Sequence, residues 1–246
     1  MKLYFFIIFT IFLSSCNHSN KLKSPEPNKA VSLSQKLTTE EYQLKYEKLM
    51  KQMPALKKSA PDTYNKLLEV IAKAYKGGRT TREINNIVRS VMFNLVESRL
   101  AHASDSAILD YMEIVILQMI ELNQLEGDIC YTTFTYDGKG YVDRKHTSKE
   151  LLKREITAMN NVLMTSVEQK LIPSIIEAGT IMEPIDSFLE NKYGDGYELF
   201  GNIPSQPTSE EKKLVCDISI DFFSMLLDLP SQDALIAIRW LWGSPD

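Results

Sequence analysis

The residue pair best placed to do chemistry is Asp217 and Asp221, at i and i+4 of an apolar stretch. Paired carboxylates can divide acid and base work between them. Laid on a helix at about 100° per residue, however, Glu210, Asp217, Asp221, Ser224 and Asp228 share one narrow arc. Val215, Ile218, Phe222, Met225, Leu226 and Leu229 take the remainder. That distribution is the solvated face of an amphipathic helix. Metal chemistry has less to draw on. Of the 3 histidines, His18, His102 and His146, none has a second ligand at metal spacing, so no metal site is expected. Asp137-Gly138-Lys139-Gly140 lacks the alternating acids and closing glutamate of a calcium loop; a turn explains it. No H-E-x-x-H, G-x-S-x-G, phosphate-binding loop or dinucleotide fingerprint occurs, so neither a catalytic set nor a cofactor is expected.

The strongest signal lies at the amino end. Lys2 is followed by the apolar run Leu3–Leu13, broken only by Thr10, then by Ser14, Ser15 and Cys16. Crossing about 30 Å of hydrocarbon takes roughly 20 residues, so this run is too short for a stable span. Its charge, apolar core and small residues have the layout of a secretory signal. Leu13-Ser14-Ser15-Cys16 resembles the lipobox of bacterial lipoproteins: an aliphatic residue, two small ones, then cysteine. The resemblance covers the targeting segment only. It implies a signal peptide over residues 1–15, a diacylglyceryl group on Cys16, and cleavage just before that cysteine. Two or more acyl chains anchor stably where one does so marginally. In Gram-negative members of the class, Asp after the cysteine favours inner-membrane retention. Asn17 stands there instead, which implies the outer membrane, facing the periplasm, over the inner one.

Of the 28 basic side chains, Lys2 goes with the leader, leaving 27 against 32 acidic ones and a net charge of −5. A mildly acidic chain is not a nucleic-acid binder, which would carry a basic stripe. A hydrophobic content of 44% is that of a folded body. With Cys16 acylated, Cys130 and Cys216 remain. In an oxidising compartment they could pair, a closure contributing about 4–5 kcal/mol in the chain-entropy account. Two buried thiols packed as small hydrophobes are the alternative.

The elements that would hold these residues are helical. Residues 16–37 form the lipidated cysteine and a polar tether with Pro25 and Pro27, a composition that buries nothing. Residues 38–246 are expected to form a single helical domain. Helices are expected from Thr39 to Met53, from Pro61 to Gly77, from Thr81 to about Leu100, and from Asp105 to Leu125, the most apolar of the set. Another runs from Ser148 through Leu171 with a kink at Pro173, a shorter one spans Pro184 to Lys192, and two more cover Ser209–Leu229 and Ser231–Trp242. The β-branched and aromatic segment Cys130–Tyr136, with a turn at 137–140 and a return at Tyr141-Val142, reads as a small β-hairpin near residues 130–142 or an ordered loop. The fold class is therefore all-α: an irregular bundle of about eight helices. No fixed repeat period supports a solenoid.

These readings favour a membrane-anchored envelope lipoprotein whose body is a non-catalytic, protein-binding module, of accessory or immunity type. Its partners would be the membrane, through the lipid, and another envelope protein. Tyr136, Tyr141, Tyr197, Phe200, Trp240 and Trp242 lie in or near expected loops and ends and are candidate anchors. Trp240 and Trp242 are about 200° apart on a helix, so both cannot face one core; one is exposed, or loops wrap the helix end. One rival is an envelope enzyme with a dispersed carboxylate site, using Asp217 and Asp221 or acids between Gly194 and Glu198. Another is a bundle that binds a small ligand or lipid, with Met112, Met119, Met159 and Met164 around the pocket.

Overall fold

The computed structural model describes residues 51, 54–125, 128–134, 146–166 and 170–243. They form α1 (Pro54–Ser59), α2 (Pro61–Lys76), α3 (Thr81–Leu100), α4 (Asp105–Asn123), α5 (Ile129–Phe134), α6 (Lys149–Thr165) and α7 (Ile175–Tyr193). A 3-10 turn (Gly194–Tyr197), α8 (Glu198–Gly201), α9 (Ser209–Asp228) and α10 (Ser231–Gly243) complete the order. Among the described residues there is no strand, and the chain is an all-α, multi-helix fold. None of the described helices is long and apolar enough to cross a membrane. Cys16, the tether, the expected helix Thr39–Met53 apart from Lys51, Tyr136 and Tyr141 lie outside the described residues.

Local chemistry sets the helix starts. Thr80 accepts a hydrogen bond from the Glu83 amide, and the Glu83 carboxylate accepts one from the Thr80 amide at 2.7 Å. Thr208 and Glu211 repeat this reciprocal cap at α9. Each box satisfies two amides that the first turn would otherwise leave unpaired. Ser104, Ser148 and Ser174 cap α4, α6 and α7 through their hydroxyls. At the end of α2, Gly78 takes φ +76°, a region in which a side chain is strained.

The packing has two main apolar clusters and a smaller third. The first joins α1 to α4 with α6 and one side of α10, around Leu56, Ile71, Ile84, Leu100, Ile108 and Leu163. The second joins α7, α8, α9 and the other side of α10, around Met182, Ile185, Leu189, Phe200, Phe222 and Trp240. α10 is shared: Leu235 and Ile238 belong to the first cluster, and Ala237, Trp240 and Leu241 to the second. The third packs Met119, Leu122, Cys130 and Cys216 between α4, α5 and α9.

Arg239, only 8% exposed, braces the junction. Its guanidinium donates to the carbonyls of Ala101 and Ala103 (2.9 Å for the latter) and to Asp105 Oδ1 at 2.6 Å. A helix leaves its last carbonyls unpaired; here a buried cation from α10 serves the end of α3 and the start of α4 together.

Three expectations need correction. The segment Ile129–Phe134 is helical, not the first strand of a hairpin. Thr132 and Thr133 hydroxyls donate back to the Asp128 and Ile129 carbonyls at 2.8 and 2.6 Å. Cys130 is buried against α9 and bonded to Cys216, with α-carbons 6.3 Å apart. Tertiary contact overrides the weak strand preference of β-branched residues. The expected turn and return of that hairpin lie outside the described residues. Second, α6 stops at Thr165, and Pro173 separates helices instead of kinking one. Third, α7 begins at Ile175 and runs through Pro184. That proline is exposed, so the carbonyl it strips of an amide partner faces solvent and the loss is tolerable.

Candidate functional site

Asp217 and Asp221 are brought together by α9 but held by different neighbours. Asp217 accepts from Asn123 Nδ2 at 2.6 Å, at the end of α4, and lies 3.5 Å from Lys213 Nζ. Asp221 accepts from the Tyr193 hydroxyl at 2.5 Å and from Lys192. Both are half-buried, because α4 and α7 flank the arc expected to be open to solvent. Desolvation first, then the hydrogen bond to Asp221, holds the Tyr193 phenol well above the usual tyrosine range.

A second phenol–carboxylate pair joins α7 to the 3-10 turn that follows it. Tyr197 donates to Asp186 Oδ1 at 2.5 Å. Burial pushes the Asp186 carboxyl up to about 6, against the lowering effect of the Tyr197 hydrogen bond. The Tyr197 phenol is in turn raised by burial and by Asp186. Nothing in the spacing of Asp186 marked it in the sequence; its partner comes from the turn after the helix. In the expected acidic loop, Asp195 and Glu198 point to solvent.

Chemically, the two pairs are fasteners. Each phenol donates its hydrogen bond to a carboxylate; the Tyr193 pair ties the end of α7 to α9, and the Tyr197 pair ties the turn that follows back onto α7. Among the described residues no three His, Cys, Asp or Glu side chains could hold a metal. His102 instead accepts the Lys170 amide on Nδ1 at 3.1 Å. A groove of about 210 Å³ between α4 and α6 is lined by Asp110, Glu113, Glu150, Lys153, Arg154 and Asn161, among others. Arg154 and Glu113 pair in it at 3.0 Å. So mixed and charged a lining does not suit an apolar ligand, whose sites are mostly hydrophobic.

Of the expected aromatic anchors, the four within the described residues fall inward. Phe200 and Trp240 are 6% and 7% exposed and so cannot serve as exposed anchors in this fold. Tyr197 and Trp242 are half-buried. Tyr197, Phe200, Phe222, Phe223 and Trp242 form a chain of rings with successive centroids 6.0, 5.4, 5.2 and 5.9 Å apart. Such contacts stabilise a core beyond the area they bury. Because α10 is packed on two sides, tryptophans that diverge on the helix both find cores.

The exposed apolar surface is elsewhere. Leu171 is 96% exposed and Ile176 79%, with Phe188 at 50% and Ile175 at 47%. Leu171 to Ile176 is apolar except for Ser174, and it sits between Lys170 and Glu177. Reading Leu171 as the end of a long helical stripe concealed this. The apolar run Leu171-Ile172-Pro173, with no period of 3.6, was the available signal.

Comparison with protein-family models, with curated proteins and with solved structures finds no match to this chain.

Proposed function

We propose that this chain is a bacterial envelope lipoprotein, acylated at Cys16, whose helical body is a non-catalytic module that binds another envelope protein. The observation that carries the reading is the lipobox-like Leu13-Ser14-Ser15-Cys16 behind a short apolar run. Asn17 favours the outer membrane, facing the periplasm. The Cys130–Cys216 bridge suits an oxidising compartment. The non-catalytic half is supported by the use of the best-placed acids and phenols in fastening α4 and α7 to α9 and the turn after α7 back onto it. With Phe200 and Trp240 in the core, the outer face of α7 around half-exposed Phe188 is the surface for a protein partner.

The test is lipid labelling. A palmitate analogue fed to producing cells should label the wild-type chain, and Cys16→Ala should abolish the label and leave an unprocessed precursor or a soluble product. Labelling that survives Cys16→Ala would sink the anchor. A photo-crosslinker at position 188 should then yield one discrete adduct with an envelope protein.

A further inference from the structure

We propose that the tip formed by Leu171, Ile175 and Ile176 rests in the headgroup–acyl boundary of a lipid bilayer, holding the helical body against its membrane. The inference rests on the lipoprotein reading and specifies which part of the body meets the lipid.

The tip is built to stay exposed. Ile172 points inward: a β-carbon on Gly243 would collide with its side chain and lie 2.9 Å from Ala101 Cβ. Ser174 caps α7, and His102 accepts the Lys170 amide. With the residues around it pinned, Leu171 cannot fold back onto the core and remains 96% exposed, followed by Ile176 at 79% and Ile175 at 47%.

The tip's place in the bundle selects the occupant. The ends of α3 and α10 meet Ile172 at Ala101 and Gly243. Arg99 NH1, two residues before Ala101, donates to the Ser59 carbonyl at 3.1 Å. α1, only about 9 Å long at 1.5 Å per residue, therefore begins near this same end, and residues 17–53 connect it to Cys16. The end of the body that receives the chain from the anchor thus carries the exposed aliphatics. Lys170, 42% exposed and 3.6 Å from Asp105, stands beside them, and α1 ends with the exposed Lys57 and Lys58. Lysines can keep their charge at a lipid headgroup while their stems lie in apolar surroundings. Glu177 is the one exposed acid within the turn that follows the tip.

Size argues against a protein on the tip. A stable protein interface buries about 800 Å² per partner, and three aliphatic side chains on a projecting turn offer far less. A shallow insertion needs no such area when an acyl anchor already keeps the body at the bilayer.

The test uses the acylated full chain in phosphatidylethanolamine–phosphatidylglycerol vesicles, with and without brominated acyl chains. In Leu171→Trp the new indole should shift to shorter wavelength on vesicles and lose most of its emission to the bromines, after subtraction of the wild-type signal from Trp240 and Trp242. In Phe188→Trp, about 18 Å along the helix from Ile176, the indole should do neither. A vesicle-bound, acylated chain whose indole at 171 is not quenched overturns the tip proposal alone. So does shielding that appears only when envelope proteins are added. Mass analysis showing Cys16 without acyl chains overturns the anchor reading, and the tip's membrane with it.

Discussion

The two ends of α7 are made from the same helix and treated in opposite ways. At its carboxyl end, Tyr193 and Tyr197 donate hydrogen bonds to Asp221 and Asp186, and Lys192 joins the first pair. At its amino end, three aliphatic side chains face outward while Ile172 and Ser174 fix the backbone beneath them. The carboxyl end hides polar groups by pairing them, and the amino end exposes apolar groups on a braced support. Polar groups taken from water must find partners, which explains the first arrangement as stability. Exposed aliphatics stabilise nothing in the isolated chain, so the second is where a function outside the chain is to be sought.

The largest effect should come from the brace under the amino end. Arg239→Ala leaves the Ala101 and Ala103 carbonyls without their donor and should lower stability by about 3 kcal/mol, read as a fall in the urea midpoint. Asp105, whose side chain is 63% exposed, contributes little of that, since exposed ion pairs are weak. A midpoint shift no larger than that of a surface substitution would show that the two ends do not differ in how they are supported.

A smaller effect, with a pH signature, belongs to the carboxyl end. Burial raises the Asp186 carboxyl from 3.8 to about 6, so the fold prefers its protonated form. Its contribution to stability is full below its unfolded value and is lost as pH rises through about 6, because across that window the folded state binds more proton than the unfolded one. Asp186→Asn keeps an acceptor for Tyr197 and removes the titration. Melting temperatures of the variant relative to wild type should therefore compare better at pH 7.5 than at pH 4.5, pH values placed about 1.5 either side of 6. A difference that is flat with pH would remove Asp186 from the account.

The smallest effect is expected at the tip. Leu171→Ser with Ile176→Ser should change stability by no more than about 0.5 kcal/mol per site, measured by the same urea titration. A large loss would mean that these side chains are packed within the chain, and the contrast between the two ends would disappear.

What could be read in advance followed local rules. The helix starts expected at Thr81 and Ser209 are those of α3 and α9, where the boxes Thr80/Glu83 and Thr208/Glu211 hold them. What escaped depended on distant partners. α5 reads as strand because Thr132, Thr133 and Phe134 favour one; its position against α9 decides otherwise. Trp240 and Trp242 cannot both be buried on a helix with one buried side, but α10 has two. Leu171 and Ile176 are typical core residues by type, and Ile172 turns inward while they are left outside. The pairing of Asp186 with Tyr197 needed the turn after α7, whose course no periodic pattern describes.

The bridge between Cys130 and Cys216 closes a loop with a sequence separation of 86 residues, and α6, α7, α8 and most of α5 lie within it. A protease that severs any one peptide bond inside that loop makes two polypeptides but not two molecules. The segment carrying α9 and α10 stays covalently joined to the segment carrying α1 to α4, and Arg239 can keep its hold on the Ala101 and Ala103 carbonyls. Reduction and cleavage must both occur before the halves can part.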